Sequence, residues 1–289
     1  MSDIFSERAQ IYDNLASERK LWNQFTIFVV FNHRRMACIR TCMILALCLA
    51  LHLPQYAQKD IRDSVLMIPT LKATFGFYVP GGDLEEQFGP NFTTGAEFTV
   101  KTRKNFLIGV EGNFLFGGNV KNQEEVLGPM LTDKGWVIDK YGSPADLFLY
   151  ERGFTVFLRM GKVFPVFGPN PNSGLQFSVG GGYLQHKIRI ENIEGTVPQV
   201  MGDYKKGWDK LSGGFAVSEF LGYIHYSNNK RINFFAGADL QQGWTTPMRP
   251  YDFNLMGKDT SGNLDLFFGI KVGWMISFYP QSADGYYYY

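Results

Sequence analysis

From Leu264 to Phe278 the chain alternates without a break. Leu264, Leu266, Phe268, Ile270, Val272, Trp274, Ile276 and Phe278 share one face, while Asp265, Phe267, Gly269, Lys271, Gly273, Met275 and Ser277 share the other. Successive side chains of a strand point to opposite sides, so a period of two predicts one strand with a continuous apolar face. It is longer than the usual strand of a soluble protein. A second run places Phe106, Ile108, Val110, Gly112, Phe114 and Phe116 against Asn105, Leu107, Gly109, Glu111, Asn113 and Leu115. A third sets Ile232, Phe234, Ala236, Ala238 and Leu240 against Asn233, Phe235, Gly237, Asp239 and Gln241. Weaker runs cover about 65–80, 92–101, 152–163, 174–190 and 212–226. Each is close to the roughly 9–11 residues that cross a tilted membrane barrel. The expected fold is therefore all-β: a transmembrane antiparallel up-and-down β-barrel of about eight strands with long extracellular loops. Ten strands remain open if the long third loop hides a hairpin.

The connections supply an independent check. With a periplasmic N-terminus, the odd connections face the exterior and run long, and the even ones are short turns. Segments 81–91, 118–151, 191–211 and 244–261 are the loops, while 102–105, 164–173 and 227–230 are the turns. The one stretched turn holds Pro169-Asn170-Pro171-Asn172. In the longest loop, 123–131 reads as a short helix, followed by the apolar pieces Trp136-Val137-Ile138 and Asp146-Leu147-Phe148-Leu149. These predict a folded cap.

In such a barrel the apolar faces meet lipid. Lys72, Glu97, Glu111, Arg159, Asp239, Asp265 and Lys271 then point into the lumen. Eight strands enclose so little space that side chains fill it, and mixed charges with many of the 32 glycines suit a packed polar plug. The carboxylates are expected to pair with Lys72, Arg159 and Lys271, because an unpaired buried charge is expensive. The net charge of +1 leaves no basic stripe for nucleic acid.

The chain start reads as an export signal preceded by an extension. Arg40 supplies the positive region, Thr41 to Leu53 the apolar stretch and Tyr56-Ala57 the cleavage end. A span this short falls below the roughly 20 apolar residues of a membrane helix, and Leu47 is too bulky to make Cys48 a lipid-attachment site. The expected divisions are an extension from a misplaced start codon (1–35), a signal peptide (36–57), the barrel (58–279) and a Tyr-rich periplasmic tail (280–289). All three cysteines, Cys38, Cys42 and Cys48, lie in the signal. Its removal would exclude disulfides, Cys-ligated metals and a Cys nucleophile.

Catalysis has few candidates. His186, close in sequence to Glu191 and with no serine persuasively placed beside it, and His225 lie near strand ends. Gly180-Gly181-Gly182 sits inside a strand with no following helix, so it is expected to let the strand bend or its neighbours pack. Asp63-Ser64-Val65 is similar to a short O-glycosylation signal of Bacteroidota. No cofactor, metal or catalytic residue is expected. Trp136, Trp208, Trp244, Tyr204 and Tyr251 are placed in loops, as membrane-interface anchors or partner-binding residues.

Several stretches, taken in order, resemble a Bacteroidota outer-membrane barrel family over about 60–289. They are Phe116-Gly117-Gly118-Asn119-Val120, Glu151-Arg152-Gly153-Phe154, Asn170 to Leu175, Tyr183 to Ile190, Gly269 to Trp274 and the terminal Gly285-Tyr286-Tyr287-Tyr288-Tyr289. The resemblance implies residence in the outer membrane of a Gram-negative bacterium, with no catalytic motif to carry over. By analogy with barrels of this size in that phylum, it implies a non-catalytic accessory or structural subunit of an envelope machine. Barrel assembly comes first and type 9 secretion or gliding second, with outer-membrane lipid and a larger outer-membrane protein as partners. Tyr286, Tyr287, Tyr288 and Tyr289 would form a docking segment or an interfacial anchor. The alternatives are an outer-leaflet lipid-modifying enzyme built on His186 and Glu191, and a small-solute channel.

Overall fold

The computed structural model describes residues 61–121 and 123–279. The expected extension and signal peptide, the three cysteines and the tail with Tyr286 to Tyr289 lie outside the described residues.

Eight long strands close into one antiparallel barrel in simple up-and-down order. They are β1 (Ile68–Gly82), β2 (Asn91–Lys101), β3 (Phe106–Gly117), β6 (Leu147–Phe164), β7 (Gly174–Asn192), β8 (Ser212–His225), β9 (Phe234–Pro247) and β10 (Asn263–Ser277). The remaining strands, β4 (Val137–Ile138) and β5 (Pro144–Ala145), make a two-stranded hairpin in the longest loop. That loop does hold a hairpin, yet it forms a separate sheet, so the barrel keeps eight strands.

Closure fixes the stagger. Followed from Gly82, the pairing passes Asp265, Gly243, Ala216, Gly182, Phe157, Glu111 and Glu97 and returns to β1 at Lys72. The circuit therefore slips by 10 residues, 82 − 72. Such a shear forces the strands to lean against the barrel axis. A ring also leaves no sheet edge with unpaired backbone groups.

Alternation of burial follows alternation of sequence. On β1, Thr70, Lys72, Thr74 and Tyr78 are buried, whereas Leu71, Phe75, Phe77 and Val79 are exposed. On β10, Asp265, Phe267, Lys271 and Met275 are buried between exposed Leu264, Phe268, Ile270, Val272, Trp274 and Ile276. The lumen is narrow enough to need glycines. Gly76 and Gly269 point inward beside Tyr78, and a Cβ on either would collide with its ring. Gly82 ends β1 at φ 63, a left-handed conformation that glycine adopts freely, with the Leu264 carbonyl where a Cβ would go.

The two ends differ. Long connections (83–90, 118–146, 193–211 and 248–262) gather at one end, and short ones (102–105, 165–173 and 226–233) at the other. Two expected boundaries are corrected. Strand β6 begins at Leu147 rather than 152, with Leu149 and Glu151 already inward. Strand β9 extends to Pro247, past the alternating run that ends at Gln241 and into the loop expected from 244, because Gln242, Trp244 and Thr246 continue the outward face with polar or amphipathic side chains.

Candidate functional site: the sealed lumen, its cap and the outer wall

At mid-barrel, four strands contribute to one closed charge ring. The Arg159 guanidinium on β6 contacts Glu111 of β3 through Nε and Asp239 of β9 through Nη2 at 3.1 Å. Lys271 Nζ on β10 lies 2.8 Å from Glu111 Oε1 and 3.0 Å from Asp239 Oδ1. All four side chains are at least 95 % buried, so two cations and two anions offset one another away from water. Polar neighbours add hydrogen bonds to both carboxylates. Asn113 donates to Glu111 at 2.7 Å, and Tyr78 and Gln241 donate to Asp239 at 2.9 and 2.8 Å. Arg159 Nη2 also donates to Ser218 Oγ at 2.6 Å. Beneath this ring, Lys72 pairs with Glu97 at 3.0 Å, Thr99 donates to the same carboxylate, and Lys72 Nζ stands 5.1 Å from the Phe235 ring centroid.

Asp265 departs from the expected pairing with lysine or arginine. It lies toward the long-loop end, where it faces His186 Nε2 at 2.9 Å and accepts the Thr245 hydroxyl at 2.6 Å. No cation of the central ring reaches it. His186 is therefore an inward residue, 2 % exposed, with Phe88 edge-on against its ring at 5.7 Å. Glu191, close to it in sequence, pairs with Arg189 at 3.3 Å on the exposed end of β7. Ser212 is the register partner of His186 on β8, but its hydroxyl donates to the Lys210 carbonyl at 3.3 Å. His225 points outward and stacks on Phe234 at 4.9 Å. Asp265 orients His186, but among the described residues no hydroxyl or thiol is hydrogen-bonded to either histidine, so neither forms the nucleophile–base pair of a hydrolase.

Both mouths are closed. At the short-turn end, Asn172 accepts from Leu66 N and Lys101 Nζ, both at 2.8 Å, and donates to the carbonyls of Ile61 (3.0 Å) and Ser64 (2.8 Å). Asn170 donates to the Tyr226 carbonyl at 2.6 Å. The stretched Pro-Asn-Pro-Asn turn is thus a clasp that holds residues 61–66 against the opening, with Ile61, Leu66, Ile68 and Tyr226 packed together. Burial pushes the Tyr226 phenol up. Neither the clasp nor the role of Asn172 was visible in the sequence, where the turn signalled only irregular backbone.

At the long-loop end, helix α1 (Asp83–Gln87) and the following Phe88, together with helix α2 (Gln123–Leu127), lay Leu84, Phe88, Val120, Val126 and Leu127 over the lumen. They pack on Tyr78, Leu115, Leu149, Leu184, Ile188 and Phe267. A second cluster joins Val137, Val197, Val200 and Trp208 with partly buried Phe253. Trp208, offered by the sequence as an interface residue, is 6 % exposed, packs 4.9 Å from Phe253 and donates through Nε1 to the Gln199 carbonyl at 3.2 Å. Its place is the interior of the cap. Asp209 clamps Arg249 with two hydrogen bonds and keeps that guanidinium charged. Beside this pair a cleft of about 220 Å³ opens between Lys206, Arg249, Tyr251, Asp252 and Asp259.

Trp136 is half exposed on a loop, with Lys134 Nζ 5.5 Å from its ring. Trp244 is not in a loop. It lies on the outer face of β9 and stacks on Phe215 at 6.0 Å. The outer wall is apolar around its whole circumference, with Phe77, Phe98, Val110, Leu158, Phe177, Leu221 and Ile270 among its exposed residues. Paired aromatic rings stand at both margins. Phe154 with Tyr183, and Phe215 with Trp244, lie toward the long-loop end. Tyr223, His225 and Phe234 stack toward the other. Midway along β8, Glu219 places a carboxylate on this wall.

No family model and no curated protein matches the chain. Among solved structures, it is similar to Ail, the attachment invasion locus protein of Yersinia pestis, solved with the heparin analogue sucrose octasulfate: 12 % identity, TM-score 0.33, covering 73 % of this chain and 99 % of that one. The N-terminal β-barrel domain of Pseudomonas aeruginosa OprF gives 13 % identity, TM-score 0.32 and coverage of 72 % and 96 %. The outer membrane protein OprG of the same organism gives 10 %, 0.31, 75 % and 99 %.

Proposed function

We propose that this chain is an integral outer-membrane β-barrel that acts as a non-catalytic accessory subunit of an envelope machine, with barrel assembly the first assignment and type 9 secretion or gliding the second. The observation that carries the reading is the inversion of the wall: a closed ring with charge buried inside and aromatic and aliphatic side chains outside. Water around such a surface would be costly, because monomeric soluble proteins rarely expose apolar patches beyond a few hundred Å². A bilayer removes that cost, and a closed barrel leaves no backbone group unpaired in it. Long loops on one side and short turns on the other suit an exterior and a periplasmic face.

The subunit role is supported by what the barrel is built to preserve. A plugged lumen and a packed cap present a rigid body, which suits a partner-binding element. A small-solute channel has less support, because ion pairs fill the lumen and both mouths are covered. A lipid-modifying enzyme on His186 and Glu191 has less still, since the two point to different sides of β7 and have different partners. The test is a mild-detergent pull-down of the tagged native protein from outer membranes, followed by mass spectrometry. Stoichiometric recovery of a barrel-assembly component supports the first assignment, and of a secretion or gliding component the second. Recovery of the barrel alone, at native expression, contradicts both.

A further inference from the structure

We propose that the outer wall around Glu219 is a lateral docking surface, within the membrane, for a different integral membrane protein that presents a cationic side chain at mid-bilayer depth. The inference rests on the membrane reading above.

Glu219 lies on the outward face of β8 and is exposed. Its outward neighbours along the strand are Val217 and Leu221, and its register partners are Val179 on β7 and Leu240 on β9. The aromatic margins fix its depth. Phe215, stacked on Trp244, and Tyr223, stacked on His225, stand on the same face four residues above and four below it. Stacked aromatics of this kind sit at the two membrane surfaces, so Glu219 falls midway between them, about 13 Å along the strand from each at a rise of about 3.3 Å per residue. There a carboxylate faces hydrocarbon, where ionisable side chains are rare and mark functional sites. No hydrogen bond or ion pair to Glu219 occurs among the described residues.

The surroundings favour a protein over lipid. Gly181 on β7 and Ala236 and Ala238 on β9 lower the wall beside Glu219, and small residues let another backbone approach closely within a membrane. A second copy of this chain is a poor fit. Among the described residues, the outward cations of the wall stand near its ends: Lys162 near the lower end of β6, and Arg152, Lys187 and Arg189 toward the long-loop ends of β6 and β7. A second copy set alongside would offer Glu219 no cation at its own depth. The complementary charge must come from another membrane protein.

The test places a photo-crosslinking residue at Leu221, which leaves the carboxylate intact, and a control at Phe98. Phe98 is outward on β2, diametrically opposite β8 in the ring. In native outer membranes the Leu221 site is expected to give a discrete adduct with a membrane-embedded segment that contains a lysine, arginine or histidine. Glu219→Leu should cut its yield at least tenfold, and Glu219→Asp should retain much of it. The Phe98 site should give lipid adducts only. An adduct insensitive to Glu219→Leu, an adduct with a second copy, or lipid adducts alone at Leu221 overturns the proposal. Labelling of Leu221→Cys and Phe98→Cys by a membrane-impermeant maleimide separates the two readings. Protection of both with lipid-only adducts sinks the docking surface alone, whereas labelling of both shows a wet wall and sinks the membrane reading with it.

Discussion

At the scale of single residues, the central ring sets what the barrel tolerates. Glu111, Asp239, Arg159 and Lys271 balance two against two. Lys271→Met leaves both carboxylates sharing one guanidinium, and breaking a buried pair costs about 3–5 kcal/mol. Urea unfolding of the barrel in lipid vesicles should show that loss. Adding Glu111→Gln to Lys271→Met restores neutrality around Arg159 and Asp239. The double variant should come within about 1–2 kcal/mol of the parent, since apolar replacements of whole buried pairs are often near neutral. A double variant worse than the single would show that the charges do not act as a set. Period two assigned the inward face to the seven charged residues named from the sequence, while Lys101 and Glu151, also inward, were not named. The pattern did not reveal partners. Asp265 meets His186 and Thr245 across register steps that alternation leaves undetermined.

At the scale of elements, two devices close the barrel, and each can be broken separately. Asn172→Ala removes the clasp on residues 61–66 and leaves Lys101 Nζ with only the Leu66 carbonyl at 3.1 Å. An unsatisfied buried group costs about 1–3 kcal/mol, so hydrogen exchange in 61–66 should accelerate while the strands keep their protection. Trp208→Ala empties the centre of the cap. Truncating a buried Trp costs about 3–5 kcal/mol, here confined to the loops, so protease should cut 193–211 and 248–262 faster without releasing the barrel. Unchanged cleavage would mean that the cap does not depend on this contact. Both devices escaped the sequence for one reason: they join loops far apart in the chain, and loop contacts carry no period. Trp208 finds Phe253 across 45 residues, 253 − 208, through side chains that alternation does not order. The strands were legible where outward residues are apolar, as on β10. They were misjudged at the end of β9, where Gln242 and Thr246 face outward, and at the start of β6, where Leu147 to Leu149 read as part of the cap.

At the largest scale, the shear of 10 residues, the filled lumen and the apolar wall make the described barrel a sealed one whose chemistry faces sideways and upward. Planar bilayers containing the purified protein should show no steady conductance above background, and ohmic steps would contradict a sealed lumen. The central claim, that the wall is solvated by lipid, is tested most directly by single-cysteine scanning of β10 in native outer membranes. Accessibility is read with an impermeant maleimide and with spin-label relaxation by oxygen against a water-soluble nickel chelate. Cysteines at Phe268, Ile270 and Val272 should resist the maleimide and relax with oxygen. Those at the inward Phe267 and Met275 should resist both reagents, and those in 248–262 should label readily. Rapid maleimide labelling and nickel relaxation at Phe268, Ile270 and Val272 would place this face in water and contradict the account.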